Sequence, residues 1–199
     1  MRSNHPIKNI AIIVGLIFLC VVLVTIFLFL YRLAHMLSFS SAPPSSPSSN
    51  RCPIEYSSFI VRGSSLLPIL SPGDKVTLVK GYYDCNEIKR GDLVMYAYAG
   101  NADPLVKIVR GVPQDKWALQ ETENGFLIVI NQEPLKNSEG VFYQIPPSRI
   151  AMLALYAKTY PTIPPDTYLL LGNDPSGTLD ATRFGLISKE SIVGIITKE

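Results

Sequence analysis

Two adjacent serines lie in a short stretch of this sequence where they could do chemistry. The stretch from Gly63 to Pro68 places Ser64 and Ser65 between apolar runs. A serine at the end of a strand can be an exposed nucleophile. Gly, Ser and Pro are also common turn formers, so an ordinary turn explains the same residues. A nucleophilic serine needs a base that accepts its proton, which the rest of the sequence must supply.

Histidine cannot supply this base in the part of the chain that follows residue 35. The sequence has two histidines, His5 and His35, and both flank an N-terminal apolar segment. Histidine-dependent catalysis and a histidine zinc site in the later domain are therefore excluded. We predict neither a cofactor nor a metal site.

Lys107 offers a different base. It lies in the apolar stretch Leu105–Val112, where strand alternation places it on the face of Leu105 and Val109. Desolvation on such a face lowers the pKa of a lysine, so that the neutral amine can accept a proton. The alternative is a lysine at a strand edge whose ammonium group reaches water. A serine with such a lysine can replace the Ser-His-Asp triad.

Short strands must position these residues. From Ser58 onward, β-rich runs alternate with turn signals such as Ser71–Asp74 and Arg90–Asp92. The predicted strands are 59–61, 75–79, 93–98, 106–112, 117–121, 126–130, 167–171 and 192–196, with one helix near 149–156. We predict a mainly β, antiparallel, partly barrel-like domain over residues 58–199.

The sequence of the N-terminal segment predicts a membrane anchor. Residues 10–31 contain no charged side chain. A helix of this length spans about 33 Å, close to a hydrocarbon core of roughly 30 Å. A cleaved signal peptide is the alternative, but the apolar run is too long for one. Arg2 and Lys8 precede the span, so we predict that residues 1–9 are cytoplasmic and the later domain is extracytoplasmic.

Residues 32–57 form a juxtamembrane segment and a Ser/Pro-rich linker, which we expect to act as a semi-extended tether. Cys52 and Cys85 are the cysteines beyond the apolar segment, and both a disulfide and two separate thiols are compatible with the sequence. The net charge is +2 and no dense Lys/Arg run occurs, which argues against nucleic acid as a partner.

Sequence boxes in matching order resemble type I signal peptidases (leader peptidases), the membrane-anchored Ser/Lys proteases. The boxes are Gly63–Leu70, Arg90–Tyr96, Lys107–Asp115, Asn124–Leu135 and Gly172–Gly185. The resemblance implies a signal-peptidase-type catalytic domain behind one transmembrane helix. It also implies that Ser65 is the nucleophile and that Lys107 is the base.

The resemblance extends to supporting residues. It implies that the Ser65 backbone N–H stabilises the oxyanion, with Ser64 as a helper. Thr178 takes the place of a serine that orients the lysine amine, and Asp180 and Arg183 support the site. The chain departs from the family pattern in several positions, which indicates a divergent or specialised member. The departures are Leu66, Ile69, Ile108, the inverted pair Asn173-Asp174, and Arg183, which lies one place late.

By resemblance, the chain is a membrane-anchored serine endopeptidase that removes signal peptides from exported preproteins. Its partners would be these preproteins and the lipid bilayer of the inner (plasma) membrane, with catalysis on the periplasmic side. One alternative is a conjugative-transfer-type peptidase that matures a single pilin or secretion component. Another is a catalytically silent member that binds extended peptides as an assembly factor.

Overall fold

The computed structural model describes residues 22–32, 52–97 and 103–198. The chain divides into two compact units, Met1–Asn50 and Arg51–Glu199. In the first unit, residues 22–32 form helix α1, whose apolar side chains are exposed. Residues 10–21 of the anchor predicted over 10–31 lie outside the described residues, as do residues 1–9. Among the residues that are described, no helix has the length and apolar content that a membrane crossing requires.

The described residues of the second unit form short strands and two helices. The strands are β1 (Glu55–Ile60), β2 (Lys75–Lys80), β3 (Leu93–Tyr96), β4 (Leu105–Gly111), β5 (Trp117–Thr122), β6 (Gly125–Ile130), β7 (Glu133–Pro134), β8 (Gln144–Ile145), β9 (Thr167–Leu171), β10 (Ile187–Ser188) and β11 (Ile192–Lys198). The helices are α2 (Ala151–Thr159) and α3 (Ala181–Phe184), and 3-10 turns lie at Tyr82–Asp84, Pro147–Arg149 and Lys189–Ser191.

The strands form two antiparallel sheets. The larger sheet has the order β1-β2-β11-β3-β4-β9-β10, and the smaller has the order β5-β6-β7, with β8 paired to β6. The paired strands run antiparallel throughout both sheets. The mainly β, antiparallel prediction is therefore confirmed. Closure of the larger sheet into a partial barrel stays a prediction.

Both faces of β4 are buried, which explains its nearly continuous apolar sequence. Ile108 packs on one face, in a cluster with Leu66 and Met95. Val109 packs on the other face, in a cluster with Val94 and other residues of β3 and β9. β4 therefore forms a rigid central element of the sheet on which Lys107 is carried.

The element predictions differ from the structure mainly at their ends. β1 begins at Glu55 rather than at residue 59, and α2 covers Ala151–Thr159 rather than 149–156. β7, β8 and β10 were not predicted. Each of these strands has only two residues, which is too short for an alternating pattern to appear in the sequence. The four-residue helix α3 was not predicted either, since the sequence predicts one helix in this domain.

A disulfide joins Cys52 to Cys85, with the two Cα atoms 6.0 Å apart. This bond decides between the two alternatives that the sequence leaves open. It connects the segment before β1 to the end of the 3-10 turn Tyr82–Asp84, which follows β2. Since β1 pairs only with β2 in the described sheet, the bond holds an otherwise weakly attached edge strand.

An ion pair between the exposed Arg90 and the buried Asp115 joins two of the sequence boxes. Arg90 Nη2 donates to both carboxylate oxygens of Asp115, at 2.7 and 2.6 Å. The Val112 N–H and Asn131 Nδ2 also donate to this carboxylate, each at 2.7 Å. Arg90 Nη1 donates to the Arg110 carbonyl. The pair therefore fixes the end of β4 against the turn that precedes β3.

Candidate active site

The turn that carries Ser65 is held by its apolar side chains. Leu66 and Leu70 are 3% and 1% exposed and pack in the same buried cluster. The Leu70 N–H donates to the Leu66 carbonyl at 3.1 Å. Ser64 is exposed, and Ser65 is half-buried. Burial of the leucines therefore positions Ser65 at the boundary between the core and solvent.

Lys107 contacts Ser65 directly, since Nζ donates to Oγ at 2.6 Å. Lys107 is 3% exposed, so the alternative of a lysine head in water is wrong. Its partner in register on β3 is Val94, which packs in the cluster with Val109. Cross-strand partners share a face, so the predicted apolar face for Lys107 is confirmed.

Burial lowers the pKa of Lys107, and the charge of Asp180 partly offsets this by raising it. Desolvation penalises the ammonium form, whereas a nearby carboxylate favours it. The predicted lowering of the pKa is therefore confirmed in direction. A lysine in this condition exists as the neutral amine at lower pH than a lysine in water, so it can accept a proton from the Ser65 hydroxyl.

Asp180 is fully buried and lies between β9 and α3. Its Oδ2 accepts from the Gly172 N–H at 2.8 Å and from Thr178 Oγ1 at 2.5 Å. Its Oδ1 accepts from the Thr182 N–H at 3.0 Å and from Thr182 Oγ1 at 2.8 Å. Asp180 is thus the N-cap of α3 and also fixes the hydroxyl of Thr178.

Gly172 allows the end of β9, Thr178 and the serine turn to meet. A Cβ at this position would lie 2.5 Å from Thr178 Oγ1 and 2.8 Å from the Ser65 carbonyl oxygen. Both distances are shorter than real Cβ contacts, so a side chain would push the segments apart. The small residue therefore brings Thr178 and Asp180 close to Ser65.

Arg183 lies at the edge of this arrangement. Its side chain is exposed on α3, and its backbone N–H donates to the Asp180 carbonyl at 2.8 Å. None of the ion pairs within the described part of the chain joins Arg183 to Asp180. The structure therefore brings together Ser65, Lys107, Thr178 and Asp180, and leaves Ser64 and the Arg183 side chain in solvent.

Sequence reasoning did not identify Asn173 as a site residue. Its N–H donates to the Ser65 carbonyl at 2.6 Å, and its Nδ2 donates to the Leu67 carbonyl at 2.7 Å. The sequence contained one indication that this position is unusual, namely the inverted order of Asn173 and Asp174 relative to the family pattern. The sequence showed the departure from the family pattern but not its contacts.

A groove of about 650 Å³ opens at Ser65 and Lys107. It is mainly apolar, and its walls come from β1 and the start of β4. The remaining lining residues are Ser58, Phe59, Ile60, Val61, Arg62, Gly63, Leu66, Leu70, Val76, Met95, Asp103, Pro104, Leu105 and Val106. Its size and lining suit an extended peptide segment.

The backbone at the groove offers hydrogen-bonding edges. β4 pairs with β3 along one edge and with β9 along the other, and the pairing with β9 begins at Ile108. Over residues 105–107, the edge that faces β9 therefore has no partner among the described strands. β1 pairs with β2 alone. Within residues 52–97 and 103–198, no backbone carbonyl accepts from the Ser65 N–H. A peptide could therefore add as a strand beside a backbone donor at Ser65.

Comparison with known proteins identifies the family of this chain. The family described as "Signal peptidase, peptidase S26" matches residues 51–198. Signal peptidase IB of Staphylococcus aureus (strain COL) is 30% identical over 147 residues, which cover 70% of this chain and 74% of the relative. Signal peptidase I of Bacillus caldolyticus is 26% identical over 149 residues, which cover 70% of this chain and 76% of the relative.

Among solved structures, a signal peptidase I from Enterococcus faecalis V583 aligns with a TM-score of 0.41 at 21% identity, covering 56% of this chain and 98% of that chain. The family match extends over nearly the whole second unit and includes both Ser65 and Lys107. The chain therefore belongs to the signal peptidase family, peptidase S26, and is a serine endopeptidase of the signal peptidase I type.

Proposed function

We propose that this chain removes signal peptides from exported preproteins, with Ser65 as nucleophile and Lys107 as general base. The observation that carries the proposal is the 2.6 Å contact between Lys107 Nζ and Ser65 Oγ in a buried setting. Burial lowers the pKa of the lysine, as a general base of this kind requires. The family supplies the substrate class, and the contact supports the roles of the two residues.

The proposed reaction uses the contact between these two side chains. The substrate lies in the groove as an added strand, and Ser65 Oγ attacks the scissile carbonyl carbon while the neutral Lys107 amine accepts the hydroxyl proton. The Ser65 N–H stabilises the oxyanion, with Ser64 as a helper. Lys107 then gives the proton to the leaving nitrogen as the C–N bond breaks. Water, deprotonated by Lys107, hydrolyses the acyl-enzyme and returns the serine.

Thr178, Asp180 and Arg183 act on the site indirectly in this proposal. Asp180 holds the Thr178 hydroxyl at 2.5 Å, and its charge reaches Lys107. We assign to Thr178 the orientation of the lysine amine, and to Asp180 the placement of Thr178. Arg183 supports α3 from the solvent side, and its exposure argues against direct contact with the chemistry.

We further propose that residues 10–31 anchor the chain in the inner (plasma) membrane. Residues 1–9 then lie in the cytoplasm, the linker tethers the catalytic domain to the membrane, and this domain, whose first described strand begins at Glu55, works on the periplasmic side. The uncharged sequence of 10–31 supports the anchor. The disulfide between Cys52 and Cys85 supports an oxidising compartment for the domain.

The test is cleavage of a signal-bearing precursor by Ser65→Ala and Lys107→Ala. We expect both variants to lose cleavage by at least about a thousandfold, since each removes a member of the reacting pair. Lys80→Ala is the matched control, because Lys80 is an exposed strand lysine, and it should cleave normally. Near-normal activity in either site variant would show that the mechanism is wrong.

Two experiments separate this function from the two alternatives. A serine-acylating probe should label the wild-type chain and not Ser65→Ala, whereas a catalytically silent peptide binder would remain unlabelled in both.

A panel of unrelated preproteins then tests the range of substrates. Efficient cleavage of one precursor alone would favour a dedicated peptidase for a pilin or secretion component.

A further inference from the structure

We infer that Asn173 is the positioning residue that holds the Ser65 turn against the strand that carries Lys107. The inference rests on the proposed role of Ser65. Asn173 follows β9 directly and is 1% exposed. Its N–H donates to the Ser65 carbonyl at 2.6 Å, and its side chain donates to the Leu67 carbonyl at 2.7 Å. It therefore holds the backbone on both sides of Leu66.

The same side chain also reaches β4. Arg110 Nη2 donates to Asn173 Oδ1 at 3.2 Å. Arg110 lies three residues after Lys107 on the same strand. One amide thus connects the turn that carries the reacting hydroxyl to the strand that carries the reacting amine. Such a connection fixes the distance between Ser65 Oγ and Lys107 Nζ, on which proton transfer depends.

The smaller sheet supports this amide through the loop that follows β7. The Ser138 N–H donates to Asn173 Oδ1 at 3.0 Å, and Asn173 Nδ2 donates to Ser138 Oγ at 2.7 Å. Asn137 Nδ2 donates to the Asn173 carbonyl at 3.1 Å. The side chain therefore makes two donated and two accepted hydrogen bonds, which is the full capacity of an amide.

Only an amide satisfies these partners. Leu67 presents a carbonyl oxygen and needs a donor, whereas Arg110 presents an N–H group and needs an acceptor. An aspartate at position 173 would keep the bond from Arg110 but would place a carboxylate oxygen against the Leu67 carbonyl. Two acceptors that face each other with no donor between them are unfavourable, and the acceptor at position 173 is buried. This contrast explains why asparagine precedes aspartate here.

Asp174, the other member of the inverted pair, lies apart from the serine turn. It is exposed, and its Oδ1 accepts from the Ser176 N–H and Oγ at 2.9 and 2.8 Å. Asp174→Asn is therefore a matched control for Asn173→Asp, since each variant exchanges the same two chemical groups at neighbouring positions.

The experiment measures peptide cleavage and labelling by a serine-acylating probe, each per titrated active site, in the full chain. For Asn173→Asp we expect kcat and the acylation rate constant to fall about 100-fold, with KM within about threefold because the groove walls are unchanged. Asp174→Asn should retain wild-type kcat. Ser138→Ala, which removes a single acceptor, should lower kcat by about two- to tenfold.

Wild-type rates in Asn173→Asp would overturn the inference. A change confined to KM, or fewer active sites that each work at the normal rate, would also overturn it, because both indicate a merely structural role. If Asn173→Asp does not fold, Ser138→Ala decides by the same rate constants. Ser65→Ala is included throughout: equal labelling of this variant and the wild type overturns the proposed function itself, independently of the result at Asn173.

Discussion

Lys107 has its pKa set by two opposing influences that can be separated experimentally. Burial lowers the pKa, and the carboxylate of Asp180 raises it again. In the proposed mechanism the neutral amine is the active form, so kcat/KM should rise with pH and level off above the pKa of Lys107, which lies below the ordinary value of 10.5. A pH–rate profile gives this value for the free enzyme.

Removal of the Asp180 charge should shift this profile in a known direction. In Asp180→Asn the influence that raises the pKa of Lys107 is gone, so the pKa falls and the rise in kcat/KM moves to lower pH. Asp174→Asn, at an exposed position, should leave the profile in place. A profile that stays in place or moves to higher pH in Asp180→Asn would contradict the assigned influence of this carboxylate.

At Gly172 the addition of a single methyl group should lower both the stability of the fold and the activity. In Gly172→Ala the new methyl group would meet Thr178 Oγ1 and the Ser65 carbonyl. We expect a loss of about 1–3 kcal/mol in the free energy of unfolding and a fall in kcat of about 100-fold, since Ser65 is displaced. Chemical denaturation and steady-state kinetics measure the two effects.

Gly63→Ala is the stability control for this variant, because a Cβ at Gly63 would have nothing within 4 Å. It should unfold like the wild type. Equal stability and equal kcat in Gly172→Ala would show that the turn and β9 can separate without cost, contrary to the close contacts described.

Ser65 and Lys107 could be proposed from the sequence because the ordered boxes resemble the family. Their local patterns, a Gly-to-Pro turn and an apolar strand, left a turn serine and a strand-edge lysine open. Asn173 could not be proposed, because its partners Leu67, Arg110 and Ser138 are 106, 63 and 35 residues away. No local pattern reports which distant carbonyl an amide will face. Arg183 was assigned by position in a box, and the one-residue shift in that box places its side chain in solvent.

At the scale of the elements, β1 is the part of the groove that depends most on a covalent bond. The disulfide closes a loop with a sequence separation of 33. Replacement of both Cys52 and Cys85 by serine should cost about 3–4 kcal/mol in the free energy of unfolding. It should also raise KM, since β1 forms one wall of the groove.

Denaturation of the wild-type chain with and without a reductant measures the same quantity independently. The reductant should destabilise the wild type to the level of the double variant and should not change the double variant. A wild-type chain with unchanged stability under reducing conditions would show that the bond does not constrain the fold.

The long strands of the sheet were predictable because each contains a run of alternating or continuously apolar residues that is long enough to recognise in the sequence. β4 and β9 are examples, since both are buried on two faces or nearly so. The pairing of Arg90 with Asp115 was not predicted, although both residues lie in the boxes. Ion pairs between turns depend on sheet order, and the order β11-β3-β4 brings distant segments together in a way that strand patterns do not reveal.

At the scale of the whole molecule, the unit Arg51–Glu199 contains the groove, the site and the buried clusters. We expect a chain that begins at Arg51 to fold and to cleave a soluble signal-peptide substrate at a rate within about threefold of the full chain. It should process a membrane-embedded preprotein much more slowly, because the proposed anchor supplies a high local concentration at the bilayer.

The two substrates must be compared with both chain lengths under the same conditions. Equal rates on the membrane-embedded preprotein would show that residues 10–31 are not needed to bring the domain to its substrate. Loss of activity on the soluble substrate would show instead that the first unit contributes to the site.

The burial of Lys107 also affects the folding reaction. In the unfolded chain this side chain is an ordinary lysine with a pKa near 10.5, whereas in the folded chain its pKa is lower. Between these two values, folding releases a proton from Nζ to the buffer. The heat of refolding should therefore depend on the ionisation enthalpy of the buffer, and less so in Lys107→Met. Folding in this range of pH therefore produces the neutral amine that the proposed mechanism requires at Lys107.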